Sequence, residues 1–168
     1  MYEIWKEVSW LSTWIGKKMA KPFAPMIKLG LSTQGAFGKA FYERYGEEAL
    51  PTIAQVMGEY AAKTAKMAKS RLKGKGMKAV GELLKMYQIF DMFETMEMIE
   101  LSDDVIHMKS SPCPFGLEGT TRELCEAVDK KMWEVVVSTL VGKKAEVKVL
   151  KCLAAGDEYC EVICSTKK

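Results

Sequence analysis

The stretch T(120)TRELCEAVDKKMWEVVVSTLVGKKAEVKVLKCLAAGDEYCEVIC(164) decides how this chain folds. Thr120 with Glu123 has the form of a capping box, so a helix is expected to begin there and to run to Gly142. Its apolar stripe passes through Leu124, Val128, Met132, Val135 and Thr139, with Val136 and Leu140 beside it. After Gly142 the period shortens to two. Ala145, Val147 and Val149 alternate with Glu146 and Lys148, Gly156-Asp157 signals a turn, and Cys160, Val162 and Cys164 alternate with Tyr159, Glu161 and Ile163. A long helix leading into an antiparallel hairpin is the expected C-terminal unit.

Upstream of that unit, TMEMIELSDDVIHMKSS (95–111) alternates on either side of Ser102-Asp103-Asp104, which predicts a first hairpin with an acidic turn. Ser111-Pro112-Cys113-Pro114-Phe115-Gly116 cannot continue a regular element and reads as a loop. Before residue 94 the pattern is helical. Helices are expected over 3–20 (Ile4, Val8, Leu11, Ile15 and Met19, widened by Trp5, Trp10 and Trp14), from Ser32 or Thr33 to Tyr45, from Glu47 to about Leu72, and from Met77 to about Phe93. Pro22 and Pro25 separate the first two, Gly46 the second from the third, and Gly74 with Gly76 the third from the fourth. Helices first and two hairpins flanking a helix later make the fold class α+β, with N-terminal helices packed on an antiparallel sheet. One domain is expected over 1–168, with 1–30 as a helical arm and 31–168 as the core.

The 168 residues, 48% hydrophobic and 28% charged, suit a globular domain large enough to hold a core without disulfide staples. A net charge of +3 does not call for a nucleic-acid partner. Residues 63–78 carry seven cations and no acid, but no aromatic side chain interleaves them to stack on bases. A solvated helix face is the reading there. No apolar run reaches the length of a transmembrane helix, and the N-terminal stretch lacks the form of a secretory signal. Five cysteines, all after residue 112 and odd in number, favour a reducing compartment, and the cytoplasm is the expected location. The single histidine, His107, excludes multi-histidine metal sites.

Cys152 and Cys160 bracket the last hairpin turn as C-x7-C and are expected to face one another. Cys125, near the start of the long helix, and Cys113, in the loop before it, are placed to join them. Four converging sulfurs would suit tetrahedral zinc, or alternatively an iron–sulfur cluster. Small buried thiols packed as hydrophobes are the plain alternative. Cys164 lies too far along the strand to share the ion and reads as a core or dimer-interface thiol.

From Cys125 to Ile163 the chain resembles the end of the vinyl-4-reductase domain: a cysteine opening a helix, a glycine at its end, a strand, and a closing hairpin with Cys152, Gly156-Asp157 and Cys160. That group includes hydrocarbon-binding proteins and the sensor domains of phenol-responsive regulators, and shares its fold with the TRAPP tethering subunits. The Cys113-Pro114 loop and AFYERYGEEALPTIAQVMGEYAAK (40–63) also resemble proteins of the L-2-amino-thiazoline-4-carboxylic acid hydrolase-like type. The resemblance places the group's zinc-binding cysteines on Cys125, Cys152 and Cys160. Where the phenol sensors carry a fourth, glutamate ligand this chain has Val149, so Cys113 is the expected substitute, with Glu146 or no residue as the other options.

The resemblance implies binding or sensing of a small apolar molecule, and a homodimer. Twelve methionines are many for this length. Met86, Met96, Met98, Met108 and Met132 with Phe90, Phe93 and Trp133 are the candidate pocket, because methionine adapts to irregular ligand shapes. Ordinary core packing would use the same residues. No phosphate-binding glycine loop and no nucleophile elbow are present. The rival function is a small cysteine-dependent hydrolase in which His107 activates Cys113. A ligand-free scaffold is the third option.

Overall fold

The computed structural model describes residues 18, 22–89 and 95–166. Apart from residue 18, the helix expected over 3–20 therefore lies outside the described residues, as do Phe90 and Phe93. Helix α1 spans Ala24–Tyr45, a 3-10 turn Gly46–Ala49 follows, and α2 (Leu50–Lys69) and α3 (Met77–Ile89) complete the N-terminal half. Strands β1 (Thr95–Leu101) and β2 (Val105–Ser111) form the first hairpin, helix α4 (residues 122–141) follows, and β3 (Ala145–Lys151) and β4 (Cys160–Thr166) form the second. The sheet is antiparallel throughout, in the order β1-β2-β4-β3, because β2 pairs with β4 between the hairpins. The α+β class expected from the sequence is the observed one.

Three expected helix starts move, and the one expected at Glu47 falls at Leu50, behind the 3-10 turn. Helix α1 begins at Ala24, with Pro25 in its first turn, where the missing amide N–H costs nothing. Ser32 and Thr33 do not cap it. Their hydroxyls donate back to the Leu29 carbonyl from inside the helix. At α4 the cap is Thr121, not Thr120: its backbone is extended and its Oγ1 accepts from the Leu124 N–H at 3.2 Å. Thr120 donates instead to the Leu117 carbonyl.

Helix α4 is α-helical over Arg122–Cys125, π-helical over Glu126–Lys130 and α-helical again over Lys131–Val141. The buried positions explain why. Leu124, Val128, Met132, Val136 and Leu140 recur at strict four-residue steps and are all buried. In an α-helix of 3.6 residues per turn, such a row drifts by about 40° per step. The wider π turn absorbs part of that drift and keeps the row on the core. Val135 and Thr139, which the sequence puts on the stripe, are only half-buried. The helix ends at Gly142, whose φ of 79° is the left-handed conformation that glycine adopts without strain.

The core lies between the sheet and the helices, with Val80, Leu84, Ile106, Val128, Val137 and Cys164 among its most buried members. Burial along β2 and β4 alternates strictly. Ile106, Met108 and Ser110 face inward from β2, and Cys160, Val162 and Cys164 from β4, while His107, Lys109 and Glu161 face the other way. Lys69 Nζ donates to the Thr139 carbonyl at 2.6 Å, tying the end of α2 to α4. The cations of 63–78 are all exposed, as a solvated face requires. Among the described residues, no helix is long and apolar enough to cross a membrane.

Candidate functional site: a thiol cluster and an inner cavity

Three of the four predicted cysteines meet where α4 passes over the β3–β4 connection. That connection is set by local hydrogen bonds. The Cys152 N–H donates to Asp157 Oδ2 at 2.7 Å, the Ala155 N–H to the Cys152 carbonyl at 2.9 Å, and the chain turns through Gly156 at φ 91°. Arg122, from the first turn of α4, reaches the Val149 carbonyl at 3.1 Å and lies 3.7 Å from Asp157. The helix start is thereby held to the turn. The Leu153 N–H points at Cys160 Sγ at 3.5 Å.

The Cys152 side chain is hydrogen-bonded to both Cys125 and Cys160. Hydrogen bonds from Cys125 and Cys160, and from the Ala155 and Ala154 backbone, pull the Cys152 thiol down. Its neighbours are pushed up, chiefly by the hydrogen bond each gives Cys152 and then by burial. Cys113 stands apart. Its loop is fixed by a 2.8 Å hydrogen bond from its own N–H to Glu118 Oε1, and it acts on Cys160 through charge. Burial, more than the nearby Asp129, raises its thiol to about 11.

As a donor set, thiols arriving from a helix start and a hairpin are of the kind that zinc takes. As placed, they do not fit an ion: among the described residues, no group of three or more His, Cys, Asp or Glu is arranged to hold one. Cys164 is fully buried on β4, a core thiol. All five cysteines are free and buried.

The Cys113–His107 pair that the rival hydrolase reading requires is not formed. His107 faces away from the core on β2 and its Nε2 lies 2.8 Å from Glu161 Oε1 on β4, while Cys113 is buried. A thiol raised by burial and without a base is a poor nucleophile.

The predicted pocket is partly assembled. Met108, Met132 and Trp133 line an inner compartment of about 30 Å³ that touches Cys160. Met86 and Met132 line a neighbouring one of about 240 Å³ between the helices, with Tyr60, Ala65, Leu83 and Tyr87. Leu31, Tyr87 and Met132 belong to both walls. Met96 and Met98, half-buried on β1, pack against the core instead. A third, open apolar groove of about 470 Å³ lies between α1 and α2, lined by Phe37, Phe41, Ile53 and Val56.

The residue that sequence reading missed is Asp129. It sits in the π turn, buried, and lines the inner compartment. Desolvation, then the charge of Cys152, raises its carboxyl to about 7, against a hydrogen bond from Trp133 that lowers it. Tyr87 is raised to about 12, again mainly by burial. The available signal was spacing: Asp129 lies four residues after Cys125 and four before Trp133, an acid on a face that is otherwise buried and uncharged.

No family model matches the chain, and no curated protein does. Among solved structures, the chain is similar to the phenol-responsive sensory domain of the transcription activator PoxR, determined with phenol. The TM-score is 0.57 at 16% identity, over 81% of this chain and 74% of that one. With α-helices in the N-terminal half and one four-stranded antiparallel sheet behind them, the chain shares the fold of that sensory domain.

Proposed function

We propose that the protein binds a small, largely apolar molecule in the cavity between its helices and acts as a sensor of it. The observation that carries this reading is the compartment of about 240 Å³ walled mainly by apolar and aromatic side chains. A cavity of about 150 Å³ already accepts benzene, so a single-ring ligand has room. The likeness in fold to a domain determined with phenol supports the same reading. The test is native mass spectrometry of the purified protein, followed by thermal-shift titration with single-ring hydrocarbons and phenols. Binding should be lost in Ala68→Phe, which places a ring in the compartment from α2. Unchanged titration in that variant, or no binding by any compound, would refute the reading.

Zinc, or alternatively an iron–sulfur cluster, at Cys113, Cys125, Cys152 and Cys160 is the second part of the proposal. Its support is the mutual contact of Cys125, Cys152 and Cys160 together with the resemblance described above. The side chains would have to turn about χ1 to present their sulfurs to a common ion. About one zinc per chain by metal analysis is the expected result, and metal-free protein overturns it. A homodimer in the cytoplasm completes the proposal, with light scattering as its test. No observation favours the hydrolase alternative, because Cys113 has neither a base nor a lowered pKa.

A further inference from the structure

We propose that the cavity selects a primary amine carried on a compact apolar body, its ammonium group seated between the Asp129 carboxyl and the rings of Tyr87 and Trp133. This rests on the ligand-binding reading and names the ligand's chemical class.

The first ground is an acid without a cation. Asp129 is buried, and among the described residues no Lys, Arg or His forms a salt bridge with it. Its polar contact is a hydrogen bond from Trp133, whereas a carboxylate has about four acceptor positions to fill. A buried carboxylate left in this state is costly, and an ammonium group supplies both the charge and the donors it lacks.

The second ground is aromatic. The Tyr87 and Trp133 rings stand edge to face, with centroids 6.2 Å apart at 68°, and both line the compartment that contains Asp129. Ring faces attract cations, and more strongly where water is excluded. An acid beside two aromatic walls is the chemistry that recognises an organic cation. A phenol offers that acid one hydrogen bond but leaves its charge unpaired.

Size narrows the class. The compartment at Asp129 has about 30 Å³ against about 240 Å³ for its neighbour, so a compact –NH₃⁺ group suits it better than a bulky trimethylammonium head. The compartment of about 240 Å³, which shares Leu31, Tyr87 and Met132 with it, would take the body, joined through a one- or two-carbon linker.

The test is a matched series on the full chain: 2-phenylethylamine, 2-phenylethanol, ethylbenzene and the trimethylated amine, titrated by calorimetry at pH 7.5. The expected result is an amine preference of about tenfold or more over the alcohol and the hydrocarbon, as a charge-assisted hydrogen bond provides, with no binding of the trimethylated form. Asp129→Asn should remove the preference while leaving binding of the alcohol in place. Should that variant fail to fold, the ranking in the native protein decides by itself. Alcohol or ethylbenzene binding as tightly as the amine overturns this inference and leaves the ligand-binding reading standing. Absence of binding by all four overturns both.

Discussion

Helix α1 approaches the Cys113–Gly116 loop so closely that one methyl group separates a stable protein from a damaged one. A Cβ built on Gly35 would lie 1.8 Å from the Phe115 carbonyl oxygen and 2.8 Å from its carbon, where ordinary contact begins near 3.4 Å. Both partners are backbone, so no side chain can rotate out of the way. Gly35→Ala must therefore push the helix and the loop apart by more than an ångström. Overpacking of this kind costs about 1–3 kcal/mol, and the upper end applies because rigid backbone must move. Gly30, on the same helix, has nothing within 4 Å of its Cβ position. Gly30→Ala should stabilise by about 0.5–1 kcal/mol through helix propensity alone. The two variants should differ by about 3.5–4 kcal/mol, or roughly 7–16 °C in Tm for a chain of this size. Thermal and urea unfolding of both, side by side, measures the difference. Phe115 and Pro114 also line the inner compartment, so Gly35→Ala should weaken ligand binding and Gly30→Ala should not. Equal stability of the two variants would refute the placement of α1 on the loop.

Three further outcomes follow from the same geometry. Thr121→Ala should cost about 1 kcal/mol through loss of the cap on α4, and more than Thr120→Ala, as urea unfolding would resolve. Cys113, raised to about 11, should be alkylated slowly at pH 8 in the native protein, with a rate that climbs about tenfold per pH unit, read by mass spectrometry of peptides. The Asp129 carboxyl is raised from 3.8 to about 7, so its contribution to stability is complete below pH 4 and is lost as pH rises through 7. Relative to the native chain, Asp129→Asn should thus gain up to about 4 kcal/mol at pH 8.5 and little at pH 4. Parallel pH profiles for the two proteins would contradict this.

Strand pattern and turn chemistry made the sheet readable in advance. The turns at Ser102-Asp104 and Gly156-Asp157, and the alternation along β2 and β4, lie where the residues put them, because a period of two leaves few other solutions. Helix starts were less legible. Ser32 and Thr33 have the chemistry of caps, yet their hydroxyls bond back inside a helix that Pro25 opens earlier. The π turn was hidden for another reason. Leu124, Val128 and Met132 fit an α-helix as well as a π-containing one, and the choice between Val135 and Val136 is made by tertiary packing, where Val136 faces the compartment between the helices. At the site, C-x7-C spacing was enough to bring Cys152 and Cys160 together and the α4 start brought Cys125. Whether Cys113 joins them depends on a loop whose path is set by Glu118 and Gly35, which local pattern does not encode. Asp129 escaped because an acid amid lysines on a helix, DKK at 129–131, looks like surface.

The π turn in α4 also gives that helix one residue of slack. A π turn closes i→i+5 hydrogen bonds where an α turn closes i→i+4, so it takes about one residue more to cover the same rotation. Deleting one residue from Glu126–Lys130 would therefore permit an unbroken α-helix that leaves Cys125 over the hairpin turn and Trp133 on the cavity wall. An insertion into the regular part of the helix has no such outlet and would carry everything after it about 100° out of phase. Drift in the sequence can thus shorten this segment by one residue without uncoupling the two halves of the site, losing only the bulge that carries Asp129.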